Sequence, residues 1–158
     1  MKHRDIHCEV RSDPAHLKSL RSLLACYLDH FGFPADRCQE AVLAVDEAVA
    51  NSMRHAYGGC TDKVLEMTLL SDESEVEIRV CDTGRLAPSE ALIRRELKTP
   101  STDALRPGGL GVQLMYEVFD AVEFQQGADQ GNCVILRLTR PVREMAAEQD
   151  DFVSDAEG

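Results

Sequence analysis

The sequence predicts an α+β fold, a two-layer sandwich in which helices cover one face of a mostly antiparallel sheet. The predicted elements follow the order β-α-α-β-β, then a long loop, then α-β-β. Strands that are joined by short turns are typical antiparallel neighbours. Over 75–80 apolar and charged residues alternate strictly, so one face of that strand should meet a core. The apolar stripes of the predicted helices would cover this face.

The first third of the chain is expected to hold one strand and two helices. Residues 6–10 alternate as a short strand, and 12–14 form a typical helix start with a capping side chain and a proline. Leucines at helical spacing continue this helix to a break at 31–34. The second helix begins near Asp36 and ends at the glycines that follow Tyr57.

The rest of the chain predicts two hairpins separated by a long segment and a helix. The segment contains three prolines and one weak helical pattern, and a glycine-rich turn opens the helix after it. The predicted bounds are 64–70 and 75–82 for the first hairpin, 91–97 for the weak pattern, 108–119 for the helix, and 122–126 and 133–139 for the last hairpin.

Composition limits the classes of protein to consider. The 158 residues suffice for one domain, which is expected over 1–143, and an acidic, disordered tail is expected over 144–158. A net charge of −11 argues against nucleic-acid partners, which select a basic face. No long apolar run and no secretory signal are apparent. The six cysteines are scattered without metal-site spacing. We therefore expect a reduced, cytoplasmic protein without membrane or nucleic-acid partners.

Glu47 and Asn51 are predicted to lie one helical turn apart on the same face of the second helix. At about 100° per residue Arg54 joins them, while Val45 and Val49 belong to the opposite, apolar face. A carboxylate can accept a proton or help to hold a metal, and a carboxamide oxygen is a hard ligand suited to Mg²⁺. The alternative is a solvated polar face without chemistry.

Asp82 ends the second strand of the first hairpin and has the parity of the buried valines. It should therefore point toward the helices, where a charged group needs a partner. One interpretation is that Asp82 only begins the turn that it forms with Thr83 and Gly84. The other is that it accepts a hydrogen bond from a ligand, such as an exocyclic amine, with Gly84 letting the backbone approach that ligand.

The glycine-rich turn is a candidate anion site. Gly108, Gly109 and Gly111 precede a helix, and a helix start offers N–H groups and the positive end of the dipole to a phosphate. The pattern is neither the Rossmann fingerprint nor the P-loop. A flexible hinge is the alternative. A long irregular segment before this turn is typical of a functional lid.

Taken in this order, the three motifs resemble the gyrase, Hsp90, histidine-kinase and MutL (GHKL) superfamily of ATPases. Residues 47–51 resemble its N box, 82–84 its first glycine box and 109–111 its second, in agreement with spacing and element order over roughly 6–140. Within the superfamily, 47–57 is most similar to the bacterial anti-sigma factor serine kinases. The resemblance implies the Bergerat ATP-binding fold.

The resemblance also implies roles for individual residues. Asn51 would coordinate Mg²⁺ on the phosphates of ATP, and Glu47 would be the catalytic general base. Asp82 would accept from the adenine amine with Gly84 beside it, and 85–107 would be the ATP lid. His55 would line the nucleotide side or pack as an ordinary histidine. The other implied nucleotide-binding residues are Arg106 as a phosphate clamp, and Gly108, Gly109, Leu110, Gly111 and Val112.

The chain departs from the superfamily pattern in two places. Arg85 and Leu86 follow the first glycine box, where a further glycine is common, so the lid should be anchored differently. Asn132 and Cys133 follow the last hairpin glycine, where threonines are common. A hydroxyl contact near the adenine is therefore not expected.

Glu47 distinguishes between possible phosphoryl-transfer reactions. Transfer of a phosphoryl group to a hydroxyl benefits from a base, whereas a neutral imidazole acceptor needs none. The resemblance implies a Mg-ATP-dependent serine protein kinase that regulates transcription as an anti-sigma factor and forms a homodimer. Its implied partners are a STAS-type anti-sigma factor antagonist, the substrate, and a sigma factor. The alternatives are an ATP-binding module that controls a partner through lid ordering with little turnover, and a structural domain with incidental motifs.

Overall fold

The computed structural model describes residues 1–93, 109–126 and 130–142, which form a five-stranded sheet and three α-helices. Across the sheet the strand order is β1-β2-β3-β5-β4, and every neighbouring pair is antiparallel. The predicted α+β class is confirmed. The strands are β1 (His3–Arg11), β2 (Val64–Ser71), β3 (Glu75–Cys81), β4 (Ala121–Gln126) and β5 (Asn132–Thr139).

The helices are α1 (Leu17–His30), α2 (Ala35–Asn51) and α3 (Gly109–Val118), and α2 packs against both of the others. A 3₁₀ turn precedes α1, and Asp13 caps it by accepting a hydrogen bond from the N–H of Ala15 at 2.9 Å. None of the helices in the described ranges is long and apolar enough to cross a membrane.

One core lies between the sheet and the helices. Alternate residues of β3 and β5 face it, as Ile78 and its cross-strand partner Leu136 illustrate, and both are fully buried. From α2, Val45 and Val49 are buried in the same core, as the helical spacing predicts. Burying this stripe fixes the rotation of α2 about its axis, so its polar face points away from the core.

The observed element bounds differ from the predicted ones by more than one residue in three places. β1 is longer than 6–10, because pairing with β2 extends to His3. The weak helical pattern over 91–97 corresponds to a 3₁₀ turn at Ser89–Leu92, and its end lies outside the described residues. The predicted second helix ends in one π turn (Ser52–Ala56), a local change of hydrogen bonding that apolar spacing does not reveal.

The face of the sheet opposite the helices carries a charged cluster around a buried carboxylate. Glu77 on β3 is 1% exposed, and its oxygens accept hydrogen bonds from Lys2, from Arg79 at 2.5 Å and from Arg137 at 2.8 Å. Burial raises the pKa of Glu77, but these three hydrogen bonds outweigh it and lower the pKa to about 2. Alternation predicted which face Glu77 lies on, but not that cations cover it.

Two cysteines are paired, so the expectation of a reduced protein with scattered cysteines is wrong for them. Cys81 at the end of β3 and Cys133 at the start of β5 lie opposite each other, with Cα atoms 4.1 Å apart, and form a disulfide. They are 52 positions apart in the sequence. Only the pairing of β3 with β5 brings them together, and local spacing carries no sign of it.

Candidate active site

The end of α2 brings together a carboxylate, a carboxamide and a guanidinium. Because α2 is regular as far as Asn51, the side chains of Glu47 and Asn51 lie one turn apart on its polar face. Arg54 links them, since its Nη2 donates to Oδ1 of Asn51 at 3.3 Å and lies 3.8 Å from Oε2 of Glu47. The side chain of Glu47 is 35% exposed, so a reacting group could reach it from solvent.

The start of α3 lies against Glu47. A Cβ atom on Gly111 would stand 2.9 Å from Oε2 and 3.0 Å from Cβ of Glu47, so the glycine leaves room for this side chain. The first N–H groups of a helix have no intrahelical acceptor and carry the positive end of its dipole. A carboxylate and a potential phosphate-binding helix end therefore meet here, although they are far apart in the sequence.

Asp82 is buried directly after β3, with 5% of its surface exposed, and both of its carboxylate oxygens accept hydrogen bonds. Oδ2 accepts from the hydroxyl of Ser52 at 2.8 Å. Oδ1 accepts from the N–H of Gly84 at 3.0 Å and from the side-chain amide of Asn132 at 2.9 Å. The predicted orientation of Asp82 toward the helices is confirmed. Its charge is compensated by hydrogen-bond donors.

The π turn after α2 holds the loop that follows Asp82. The N–H of Arg85 donates to the carbonyl of Ala56 at 2.8 Å, and a Cβ on Gly84 would stand 2.3 Å from that oxygen. The hydroxyl of Tyr57 accepts from the N–H of Thr83 at 2.9 Å. Gly84 thus permits a close approach to the protein's own helix end, and an approach to a ligand stays a prediction.

The other predicted residues of the described chain contribute in different ways. The side chain of Leu110 is 54% exposed, whereas that of Val112 is buried, so Val112 could offer a ligand only its backbone. His55 is exposed on the π turn. Among the described residues it has no hydrogen bond with Glu47 or Asp82, and its predicted role stays a prediction.

The beginning of the predicted lid is attached to α3. The hydroxyl of Tyr116 donates to the carbonyl of Leu92 at 2.8 Å, and the side-chain amide of Gln113 donates to the carbonyl of Ile93 at 3.1 Å. The remainder of the lid, 94–107, which includes Arg106, lies outside the described residues, as does Gly108.

Three residues that shape the site were not predicted to do so: Ser52, Tyr57 and Asn132. Ser52 directly follows Asn51, and a small hydroxyl residue next to a predicted site residue was the available signal. Its contact with Asp82 nevertheless depends on the π turn and on the packing of α2 over β3. Asn132 stood out in the sequence only because it replaces a common threonine.

The residues present fit a magnesium ion that is held mainly by a nucleotide. Across the described ranges, no group of three or more His, Cys, Asp or Glu side chains could form an all-protein metal site. Mg²⁺ in nucleotide sites needs only one or two protein oxygens, because phosphates and water supply the others. Asn51 Oδ1 can supply such an oxygen, and the start of α3 offers donors to phosphate.

Comparison with known families agrees with this arrangement. The family model of the histidine kinase-like ATPase domain matches residues 10–138. The chain belongs to this family. The match extends from β1 into β5 and includes every motif from Glu47 to Asn132. The resemblance to the GHKL superfamily is thereby confirmed for this ATPase domain.

Relatives and a solved structure resemble this ATPase domain over most of its length. A serine-protein kinase RsbW of Listeria monocytogenes serotype 4a (strain HCC23) is 27% identical over 153 residues, 94% of each chain. Another, from Bacillus pumilus (strain SAFR-032), is 27% identical over 159 residues, 96% of this chain and 94% of the relative. The names of these relatives confirm the resemblance to bacterial serine kinases.

The solved structure contains the RsbU and RsbW domains of Rv1364c from Mycobacterium tuberculosis. It matches with a TM-score of 0.59 and 19% identity, over 86% of this chain and 32% of that longer chain. At this identity the likeness shows a shared fold alone.

Proposed function

We propose that this ATPase domain is a Mg-ATP-dependent serine protein kinase that acts as an anti-sigma factor. Its substrate would be a serine of a STAS-type anti-sigma factor antagonist. The family match, the kinase names of full-length relatives and the arrangement around Glu47 support the proposal.

The position of Glu47 carries this proposal. Its carboxylate lies one turn before Asn51 and against the start of α3, where a phosphate would be held. A serine hydroxyl loses its proton as it attacks phosphorus, and a carboxylate at this position can accept that proton. A histidine acceptor would not need such a base, so the geometry favours a hydroxyl acceptor.

The remaining residues would bind and orient the nucleotide. Bound Mg-ATP supplies the phosphoryl group that is transferred. Asn51 would hold the metal through its carboxamide oxygen, and the N–H groups of Gly109 and Gly111 would bind phosphate oxygens. Asp82 would accept from the adenine amine. Most of the catalytic effect would then come from positioning and charge stabilisation, as in other phosphoryl transfers.

The proposed partners follow from the resemblance to anti-sigma factor kinases. We expect a STAS-type antagonist and a sigma factor to bind this domain, a homodimer to form, and the protein to act in transcription regulation in the cytoplasm. A pull-down from cell extract in Mg-ATP and in Mg-ADP, followed by mass spectrometry, identifies what binds. Light scattering measures the mass of the particle.

A phosphotransfer assay tests the function and the role of Glu47. The purified domain, γ-labelled ATP and a STAS-type antagonist should yield phosphoserine on the antagonist. In Glu47→Gln the rate should fall about 10²- to 10⁴-fold with ATP affinity retained, because only the base is lost. Glu40→Gln is the matched control, since Glu40 lies on the same helix and pairs with Arg37 at 3.2 Å on its exposed face.

Two outcomes would contradict parts of the proposal. Equal transfer rates in the wild type and in Glu47→Gln would show that Glu47 is not the base. Tight ATP binding by the wild type without transfer to any STAS-type protein would favour the alternative, a regulatory module that uses ATP to order its lid.

A further inference from the structure

Asn132 connects the start of β5 to Asp82 and to the loop after it. Its side-chain NH₂ group donates to Oδ1 of Asp82 at 2.9 Å and to the carbonyl of Arg85 at 2.8 Å. Its Oδ1 accepts from the N–H of Ala87 at 2.7 Å. Two acceptors face the nitrogen and one donor faces the oxygen, so the partners determine which way the amide points.

The backbone holds Asn132 in this position. The N–H of Asp82 donates to the carbonyl of Asn132 at 2.8 Å, and the N–H of Asn132 donates to Oδ1 of Asp82 at 3.2 Å. Before it, Gly131 lies so close that a Cβ there would stand 1.7 Å from the carbonyl oxygen of Asp82. The start of β5 is therefore pressed against the end of β3, and Asn132 cannot move independently of Asp82.

These contacts divide the two oxygens of Asp82 into different roles. Oδ1 accepts from three donors, namely the N–H of Gly84 and two groups of Asn132. Within the described residues, Oδ2 accepts only from the hydroxyl of Ser52. With one donor against three on Oδ1, Oδ2 retains capacity for a further donor. The hydrogen bonds of Asn132 to Oδ1 thus determine which oxygen of Asp82 can meet a ligand.

We propose that Asn132 is a positioning residue that makes the site selective for purines with an amino group at position 6. It does so by turning Oδ2 of Asp82 toward that amine. The inference rests on the proposed nucleotide site. In inosine triphosphate an oxygen replaces the amine, so two acceptors would face each other. A threonine hydroxyl donates one hydrogen bond and could not bind Asp82 and the Arg85 carbonyl together.

Binding of two nucleotides by three variants tests this role. Calorimetry in Mg²⁺ measures the dissociation constants of ATP and inosine triphosphate for the wild type, Asn132→Asp and Asn132→Ala. Asn132→Asp has almost the same shape but turns an acceptor toward Oδ1 of Asp82. Gln125→Glu is the control, since it makes the same chemical change on the exposed side of β4. Circular dichroism verifies folding, and Asn132→Ser, which keeps one donor, replaces any variant that is unfolded.

The wild type should prefer ATP by about 10- to 100-fold, as expected for a hydrogen bond to a charged group. In both Asn132 variants the preference for ATP should fall at least about fivefold. ATP should bind more weakly, and the dissociation constant of inosine triphosphate should change little. Gln125→Glu should keep the wild-type ratio. Equal weakening of both nucleotides in the variants would show a merely structural role and overturn the inference alone. A wild type that binds neither nucleotide would overturn the proposed site as well.

Discussion

Gly84 and Gly111 each stand where another residue approaches closer than a side chain would allow, but their neighbours differ. At Gly84 a Cβ would stand 2.3 Å from a backbone carbonyl oxygen, which cannot move without the π turn. At Gly111 the nearest atom, at 2.9 Å, is the carboxylate tip of Glu47, which can rotate away, and the Cβ of Glu47 at 3.0 Å needs to shift by only a few tenths of an ångström. A substitution at Gly111 should therefore change the position of Glu47, the proposed general base, while the fold survives.

Gly111→Ala should separate catalysis from stability. The added methyl group displaces the Glu47 carboxylate, and misplacement of a reacting group by about 1 Å can cost about 10²-fold in rate. Alanine is a better helix former than glycine by about 1 kcal/mol, which offsets part of the crowding. We expect the transfer rate to fall by one to two orders of magnitude and the free energy of unfolding to change by about 1 kcal/mol or less.

Phosphotransfer kinetics and urea unfolding measure the two effects of Gly111→Ala separately. Leu110→Ala is the matched control at the neighbouring position, because this side chain is exposed and its removal keeps both the contact with Glu47 and the backbone N–H implied for phosphate binding. A transfer rate in Gly111→Ala equal to that of the wild type would show that Glu47 tolerates displacement, which a general base should not.

At the scale of elements, β3 carries different chemistry on its two faces. Its core side leads to Asp82 in the candidate site, whereas the opposite side carries Glu77 beneath Lys2, Arg79 and Arg137. Arg137 comes from β5, so this charged cluster and the hydrogen bonds of Asn132 join the same two strands from opposite faces. Because the pKa of Glu77 is lowered, this charged cluster should be sensitive to acid.

The lowered pKa of Glu77 predicts a specific loss of stability in acid. Because its folded-state pKa of about 2 lies below the ordinary value of 4.5, its stabilising contribution is present above pH 4.5 and is lost as the pH falls toward 2. We expect a loss on the order of 3 kcal/mol across this window from Glu77 alone. Urea unfolding at several pH values between 2 and 7 measures it.

Glu77→Gln should be less stable than the wild type at pH 7, because three cations lose their carboxylate, and its stability should depend less on pH. Glu66→Gln is the control. Glu66 is exposed on β2 and lies opposite Cys81, so it is on the same face of the sheet as Glu77. If the free energy of unfolding depended on pH in the same way in the wild type and in Glu77→Gln, the lowered pKa of Glu77 would be contradicted.

Local patterns in the sequence predicted the elements well and their contacts poorly. Helical spacing was enough to place Glu47 and Asn51 on one face, because that relation is a property of α2 alone. Strand parity likewise predicted the direction of Asp82. The contacts of Asn132 with Asp82 and of Cys133 with Cys81 depend on how β5 pairs with β3, and that register is set by tertiary packing.

At the scale of the whole molecule, the site is made by four segments that meet at one end of the sheet. They are the end of α2 with its π turn, the loop after β3, the start of α3 and the start of β5. The motifs predicted three of these segments, and their order along the chain predicted the fold. The fourth was missed, because Asn132 acts through a long-range pairing rather than through a motif.

Binding of nucleotide across these segments should stabilise the whole domain. A ligand that binds only the folded state at 100 times its dissociation constant adds about 2.7 kcal/mol. For a domain of 158 residues this corresponds to a rise in melting temperature of about 5–10 °C. Differential scanning fluorimetry with ATP and Mg²⁺ measures the shift, and chelation of Mg²⁺ by EDTA should reduce it.

Asn51→Ala should lose the part of this thermal shift that depends on Mg²⁺, because it lacks the carboxamide oxygen proposed to hold the metal. Gln39→Ala removes an exposed carboxamide from the same helix and should keep the full shift. If Mg-ATP failed to raise the melting temperature of the wild type, the end of the sheet would not be a nucleotide site. If Asn51→Ala kept the full shift, the metal would be held by other groups. The assignment of metal binding to Asn51 and of proton transfer to Glu47 would then be wrong.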